Sequence, residues 1–519
     1  MASVREVTLD LLRRLGMRHV FGNPGSTELT FFRDFPADFD YVLGLQESVV
    51  VGMADGFAQA THNAALVNLH SAVGVGHAMG NLFTAFRNRT PLVITAGQQS
   101  RSLLPLDPFL FSQQPTELPR PYVKWAVEPA RAEDVPRAIE RAYHIAMTPP
   151  RGPAFVSIPI DDWDAPCQPL PPRAVTSAQR ADAGALIALA DALGRSQRPV
   201  FVVGAAVDRD GAWQQVVRLA EMHGALVWAS PLIGRCGFPE NHPLFAGFLP
   251  AFREQICQRL AGHDLLLAVG AQLFTYHAEG AGAYVPDGLQ VYQITEDADW
   301  AAGAVAGQAI VGGVGAAVQE LLTINRPQPP ATQAGRIAVP PLPLADPLTD
   351  ALLLQVLAEL RAPDSIIVEE APSTREPMHD HLPILRPETF YTCSSGGLGH
   401  ALPAAVGIAL GRPGQRVIAL LGDGAAMYSI QALWNAAQLS LPLTVIIVNN
   451  GRYEALKSFS RRFGVTDPVG TSLPGIDFVQ LARAQGCDAL RITRAAELHD
   501  GLRSALNSAR PTLVDVQVV

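Results

Sequence analysis

The feature that most constrains this chain is an alternation. Short continuous runs of Val, Ile, Leu and Ala are each followed by a longer stretch with helical periodicity. A strand that is apolar on both faces needs cover on both, and helix-length crossovers supply it, so the pattern predicts parallel sheets wound with helices. HVFG, YVLGLQ, AALVNLH and PLVITAG read as buried strands in the first part of the chain, and RPVFVVG, DLLLAVG and LQVYQI in the middle. RVIALLGDG, LTVIIVNN and TLVDVQVV read the same way in the last part. The 519 residues are too many for one core. Two proline-rich stretches without apolar periodicity, 167–179 and 325–347, look like linkers. The reading is therefore α/β, with three doubly wound parallel-sheet domains over residues 1–178, 179–335 and 336–519.

Hydrophobic residues make up 48% and charged ones 17%, spread along the whole length, which implies a packed chain with little disorder. A net charge of -9 without a long basic run argues against a nucleic-acid partner and leaves any anionic substrate to be held by local groups. The five cysteines are scattered with no CxxC pair, so neither a disulfide framework nor a thiolate metal site is suggested, and a reducing cytoplasm fits. Ser3 and Glu6 have capping-box spacing, and Val4, Val7, Leu11 and Leu15 mark one face, so the opening segment reads as a folded helix rather than a signal peptide. No apolar run approaches the roughly 18 residues of a membrane span.

Open parallel sheets bind ligands beyond the carboxyl ends of their strands. Ser26 follows HVFGNPG, Glu47 follows YVLGLQ and His70 closes AALVNLH, which offers a hydroxyl, a carboxylate and an imidazole to one rim. Blander roles also fit: Ser26 as a helix cap, Glu28 and Glu47 as carboxylates near helix N-termini, His70 as a polar residue at a seam. In the last part GDG follows RVIALL and NNG follows LTVIIV, so Asp423 and Asn450 are separated by one strand-helix-strand unit. Adjacent parallel strands would set a carboxylate and an amide oxygen side by side, a donor pair suited to magnesium with room left for a diphosphate. As isolated dipeptides, Asp-Gly and Asn-Gly are also ordinary turn signals. No strand opens onto GxGxxG, so the dinucleotide fingerprint is missing. The HDH run at His379 to His381 lies in a polar stretch without a third spaced ligand and reads as surface.

GDGAAMYSIQALWNAAQLSLPLTVIIVNN resembles the signature of thiamin-diphosphate enzymes. GNPGSTELTF, LGLQESVVVGMADGFAQA, NLHSAVGVGHAMGNL, PLVITAGQQSR, LPRPYVKW, SSGGLGHALPAAVGIAL and LPGIDF extend the resemblance to the benzoylformate decarboxylase family, across nearly the whole chain. The resemblance implies pyrimidine-binding, central and diphosphate-binding domains, and a homotetramer with active sites between subunits. It implies thiamin diphosphate and Mg2+ as cofactors, with Asp423, Asn450 and the carbonyl of Arg452 on the metal. Gly397, Gly422, Gly424, Ala425, Tyr453 and Ser373 match the cofactor-binding set. Leu398 matches the apolar residue that bends the cofactor, and Glu47 the carboxylate that activates it. Ser26, His70 and His277 match polar substrate-site residues, and Leu110, Ala455, Leu456 and Phe459 the apolar lining.

The activity so implied is non-oxidative decarboxylation of an aromatic 2-oxo acid, phenylglyoxylate to benzaldehyde and carbon dioxide, through an ylide and an enamine. An imidazole of ordinary pKa near 6.5 suits the proton transfers to His70 and His277. Carboligation of aldehydes is an expected side activity. Competing readings are an acyloin- or acetolactate-type carboligase, a decarboxylase of another 2-oxo acid, and a catalytically silent cofactor-binding protein. The chain departs from the family pattern at Arg452 and Glu454, which flank Tyr453, at Pro372 and Arg375, at His400 in place of an aromatic residue, and over 101–116.

Overall fold

The computed structural model describes residues 2–324, 335–336 and 339–519. Two compact units emerge: Met1–Thr176 with Leu344–Arg375 and Ser395–Val519, and Ser177–Pro343 with Glu376–Ser394. The proline-rich stretch 167–179 spans the boundary at Thr176, whereas much of 325–347 lies outside the described residues.

The first unit holds two large sheets, besides a two-stranded antiparallel pairing of Ala2–Ser3 with Pro166–Cys167. In the amino-terminal sheet β1 (His19–Gly22), β2 (Asp40–Leu43), β3 (Ala65–Leu69), β4 (Leu92–Gln98), β5 (Ala126–Val127) and β6 (Ala154–Pro159) lie in the order β2-β1-β3-β4-β6-β5, all parallel. Every residue of β3, β4 and β6 is buried, as continuous apolar runs covered on both faces require. Helix α1 (Val4–Arg14) begins with the expected capping box between Ser3 and Glu6 and packs Val4, Val7 and Leu11 into the core below. Helices α2 (Glu47–Thr61) and α3 (Ser71–Arg87) follow β2 and β3.

The second unit carries a six-stranded parallel sheet of β7 (Pro199–Val203), β8 (Leu226–Ala229), β9 (Phe245–Phe248), β10 (Leu265–Val269), β11 (Gln290–Thr295) and β12 (Gln308–Val311). Their order is β9-β8-β7-β10-β11-β12. The expectation of a surface HDH run fails here. His379 is only 6% exposed, because the short helix Arg375–His381 turns Met378 and His379 inward and leaves Asp380 outside. Charged neighbours in the sequence masked a buried face.

Five parallel strands of the first unit's other sheet, β13 (Ile366–Glu370), β14 (Val417–Gly422), β15 (Leu443–Asn449), β16 (Asp488–Ile492) and β17 (Thr512–Gln517), run in the order β13-β14-β15-β17-β16. Helix α4 (Ala401–Gly411) lies beside them and is apolar all round, with Ala401 to Ala409 buried. It meets α2 at van der Waals distance through glycines. A Cβ on Gly56 would fall 2.1 Å from the Ala404 carbonyl oxygen, and one on Gly407 1.9 Å from that of Met53. No described helix is long and apolar enough to cross a membrane.

Candidate active site

The carboxyl rim of the amino-terminal sheet brings together the groups that follow its strands. Gly25 caps the 3-10 turn Ser26–Glu28 without any side-chain bond, so Ser26 does not serve as a cap and stands exposed. His70 precedes α3 and likewise makes no capping bond. Its Nδ1 lies 2.9 Å from Glu28 Oε2 and 3.0 Å from Thr27 Oγ1. Glu28 is buried, takes the Gly25 amide on Oε2 at 2.9 Å, and takes the Thr27 hydroxyl on Oε1 at 2.6 Å. This network assigns the Nδ1 proton of His70 to Glu28 and does not engage Nε2. Two glycines make room for it: a Cβ on Gly25 would lie 2.1 Å from His70 Nδ1, and one on Gly97 2.0 Å from Glu28 Oε1.

Glu47 opens α2, yet Gln46 does the capping, its Oε1 accepting from the amides of Ser48 and Val49. The Glu47 carboxylate is therefore spared for other work. It is 8% exposed and meets His77 Nδ1 at 3.1 Å.

At the rim of the second sheet of this unit, Asp423 follows β14 and Asn450 follows β15. The Arg452 amide lies 3.2 Å from Asp423 Oδ2 and 3.1 Å from Asn450 Oδ1, so both side-chain oxygens converge on one point. Asp423 Oδ1 also accepts from the Gly424 amide at 2.7 Å. The neighbouring Asn449 is used differently: buried, it donates to Asp515 at 2.9 Å. Burial pushes the Asp423 carboxyl above its ordinary range, and among the described residues no lysine or arginine pairs with it. A Cβ on Gly424 would strike the Tyr453 ring at 2.2 Å, which explains the second glycine of GDG. The Arg452 carbonyl, accepting from the Glu454 amide at 3.0 Å, retains one lone pair.

The turn bearing Leu398 has Gly396 at φ +72° and Gly399 at +94°, in the left-handed region. The Glu370 carboxylate, at the end of β13, takes the amides of Gly399, His400 and Ala401 at 2.5, 2.8 and 2.7 Å. Burial nevertheless raises its pKa to about 7. From the other side Asn81 donates to the Gly399 and Ser48 carbonyls, and Thr84 meets Ser395 at 2.8 Å.

Comparison with known proteins agrees with this layout. Residues 2–117 match the thiamine pyrophosphate enzyme N-terminal TPP binding domain, 186–321 its central domain and 374–516 its C-terminal TPP binding domain. Benzoylformate decarboxylase of Pseudomonas aeruginosa is 43% identical over 524 aligned positions that span 99% of each chain. The chain belongs to the thiamine pyrophosphate enzymes. Benzoylformate decarboxylase from Polynucleobacter necessarius superposes with a TM-score of 0.98 at 38% identity, covering 100% of this chain and 99% of the other. The 4-hydroxybenzoylformate decarboxylase of Rhodococcus jostii RHA1 gives 0.95 at 41%, with the same coverage.

For a thiamine pyrophosphate enzyme the donor set around Asp423 fits its cofactor. Convergent carboxylate and amide oxygens suit magnesium, and a buried carboxylate with only amide partners is stabilised when a cation neutralises it. Side chains that depart from the family pattern are held by partners within the fold. Arg452 Nε bonds Glu454 at 2.6 Å, Arg375 bonds Glu369 at 2.7 Å, and His400 pairs with Asp55 at 2.5 Å in the interior. Burial opposes both charges of that last pair, and their attraction prevails: His400 is held above its ordinary value and Asp55 below. In the divergent segment Leu110 sits at φ +61°, its carbonyl accepting from Ser71 Oγ at 2.7 Å. Ala455, Leu456 and Phe459 share the short helix Glu454–Ser460, Leu456 half exposed. Gly422 is the last residue of β14, Ser373 lies in the turn after β13 and Gly397 in the segment that bears Leu398. His277 belongs to the second unit, after β10, its amide donating to the Ala251 carbonyl at 2.9 Å. Glu28, His77, Glu370 and Asn81 are contacts that sequence reasoning missed. Glu28, His77 and Asn81 lie in segments that carry the family resemblance, but only folding reveals what they touch.

Proposed function

We propose that this chain is a thiamin-diphosphate- and Mg2+-dependent decarboxylase of aromatic 2-oxo acids, forming benzaldehyde and carbon dioxide from phenylglyoxylate. The observation that carries the reading is His70, an imidazole held by a buried carboxylate on the rim that also presents Ser26 and Glu47. The names of the relatives at 38–43% identity point to the same substrate class.

Asp423, Asn450 and the Arg452 carbonyl would hold the metal, and Gly422, Gly424, Ala425, Tyr453, Gly397 and Ser373 the diphosphate side of the cofactor, with Leu398 as its apolar prop. Bound thiamin diphosphate supplies the electron sink that lets carbon dioxide depart. Glu47 would hold or give up a proton at its carboxylate beside the cofactor's aminopyrimidine ring. Ser26 orients the substrate carboxylate by hydrogen bonding. His70 delivers a proton through Nε2, and Glu28 compensates the positive charge that the ring carries beforehand. His277 is the second proton carrier. Leu110, Ala455, Leu456 and Phe459 pack against the aromatic ring and exclude water, which favours loss of charge as carbon dioxide leaves.

Three domains over 1–178, 179–335 and 336–519 suit this division of labour, in a homotetramer with active sites between subunits. Phe109 (84% exposed), Phe463 (65%) and Val469 (96%) on the single chain support such contacts. The five cysteines, none in a disulfide, suit the cytoplasm. Product analysis tests the reading: phenylglyoxylate should yield benzaldehyde as the main product, and acetolactate from pyruvate as the dominant product would instead favour a carboligase.

A further inference from the structure

The second unit contains a cluster that the proposed chemistry does not use. Cys236, Glu240 and His379 are all buried, and their Sγ, carboxylate oxygen and ring nitrogen lie within 4.8 Å of one another. Cys236 Sγ is 3.2 Å and His379 Nδ1 2.9 Å from Glu240 Oε1. The other carboxylate oxygen, Oε2, is buried without a hydrogen-bond partner among the described residues. An orphaned carboxylate oxygen in a protein interior calls for an explanation, and a bound ion is one of the few available. The His379 ring is fixed by stacking on Phe248 at 3.8 Å between centroids and by the edge of Phe390 at 5.6 Å. Arg336, the nearby cation, is occupied by the His379 carbonyl and by Asp380.

We propose that Cys236, Glu240 and His379 form a structural site for a borderline-soft divalent cation, zinc above all, remote in chemistry from the oxygen-only magnesium site. Thiolate, imidazole and carboxylate are the ligand types zinc takes, and the spacing of the three atoms requires only small adjustments to reach a tetrahedral edge. Charge balances: the Cys236 thiol releases its proton to solvent, His379 binds as the neutral ring through Nδ1, and thiolate plus carboxylate cancel the two positive charges. Oε2 then completes the coordination or accepts from a metal-bound water. The ion would tie the loop at 236–240 to the segment Glu376–Ser394, two stretches of one unit that are distant in sequence.

The test uses the full-length enzyme, treated with chelator, dialysed and titrated with Co2+ and then Zn2+. Expected are a sulfur-to-cobalt charge-transfer band that saturates at one equivalent and is displaced by zinc, and loss of that band in Cys236→Ser and in His379→Gln, with decarboxylation unchanged. A magnesium site built from oxygens gives no such band, so metal bound there is distinguished. Absence of the band in the wild-type protein, or its persistence in Cys236→Ser, overturns the proposal and leaves a proton-bonded Cys-Glu-His cluster. The wild-type result decides even if a variant fails to fold.

Discussion

An imidazole transfers protons efficiently only while its ring is held, and at His70 the holding falls to Glu28, whose own placement depends on the absence of side chains at Gly25 and Gly97. Glu28→Gln keeps an acceptor but removes the charge that balances the imidazolium. The expected fall in kcat is about 10- to 100-fold, short of the roughly 10²–10⁴ that positioned proton transfer contributes as a whole. Steady-state kinetics beside an unchanged circular dichroism spectrum checks this, and an undiminished kcat would contradict the role given to Glu28. Ser26, Glu47 and His70 were singled out in the sequence because each follows a strand, where open sheets collect their chemistry, although β2, read as buried, buries only Val42 and leaves Asp40 and Leu43 exposed. Glu28 was legible only as a carboxylate near a helix start, since its partner lies 42 positions away. Asp423 and Asn450 were legible as a pair, and their convergence on the Arg452 amide matches that reading.

Among the elements, each predicted run overlaps an observed strand, but β5, β6, β8, β9, β12, β13 and β16 were not read from the sequence. Neither was the contact between α2 and α4, because glycines 56 and 407 look unremarkable until the helices cross. Gly407→Ala would force a methyl group onto the Met53 carbonyl, with a cost of about 1–3 kcal/mol for overpacking, measurable as a lowered thermal midpoint. An unchanged midpoint would show that the helices separate easily. The turn after β13 adds a pH dependence. Glu370 rises from 4.5 to about 7 on burial, so its contribution to stability is fully present below pH 4.5 and is lost as pH climbs through 7. The decline amounts to about 3 kcal/mol over that window. Thermal midpoints across pH 4.5–7 should fall more steeply in the native protein than in Glu370→Gln, and parallel profiles would remove Glu370 as the cause. The short helix Arg375–His381 marks the opposite failure, where polar neighbours hid the buried His379.

For the molecule as a whole, the assignment of Glu47 to the rim of one sheet and Asp423 to that of another invites a test of subunit sharing. Glu47→Gln and Asp423→Asn should each abolish turnover, the first by loss of cofactor activation and the second by loss of the metal. If active sites lie between subunits, mixed oligomers of the two variants regain about a quarter of native activity, since half of randomly paired dimers contain one intact site of two. No recovery after verified subunit mixing would place the two residues in the same subunit's site. The central claim is tested most directly by carbon dioxide release from phenylglyoxylate by purified protein, with and without thiamin diphosphate and Mg2+, beside pyruvate and phenylpyruvate. The account predicts release that requires both cofactors and is fastest with phenylglyoxylate; no release from any of the three acids with both cofactors present would contradict it.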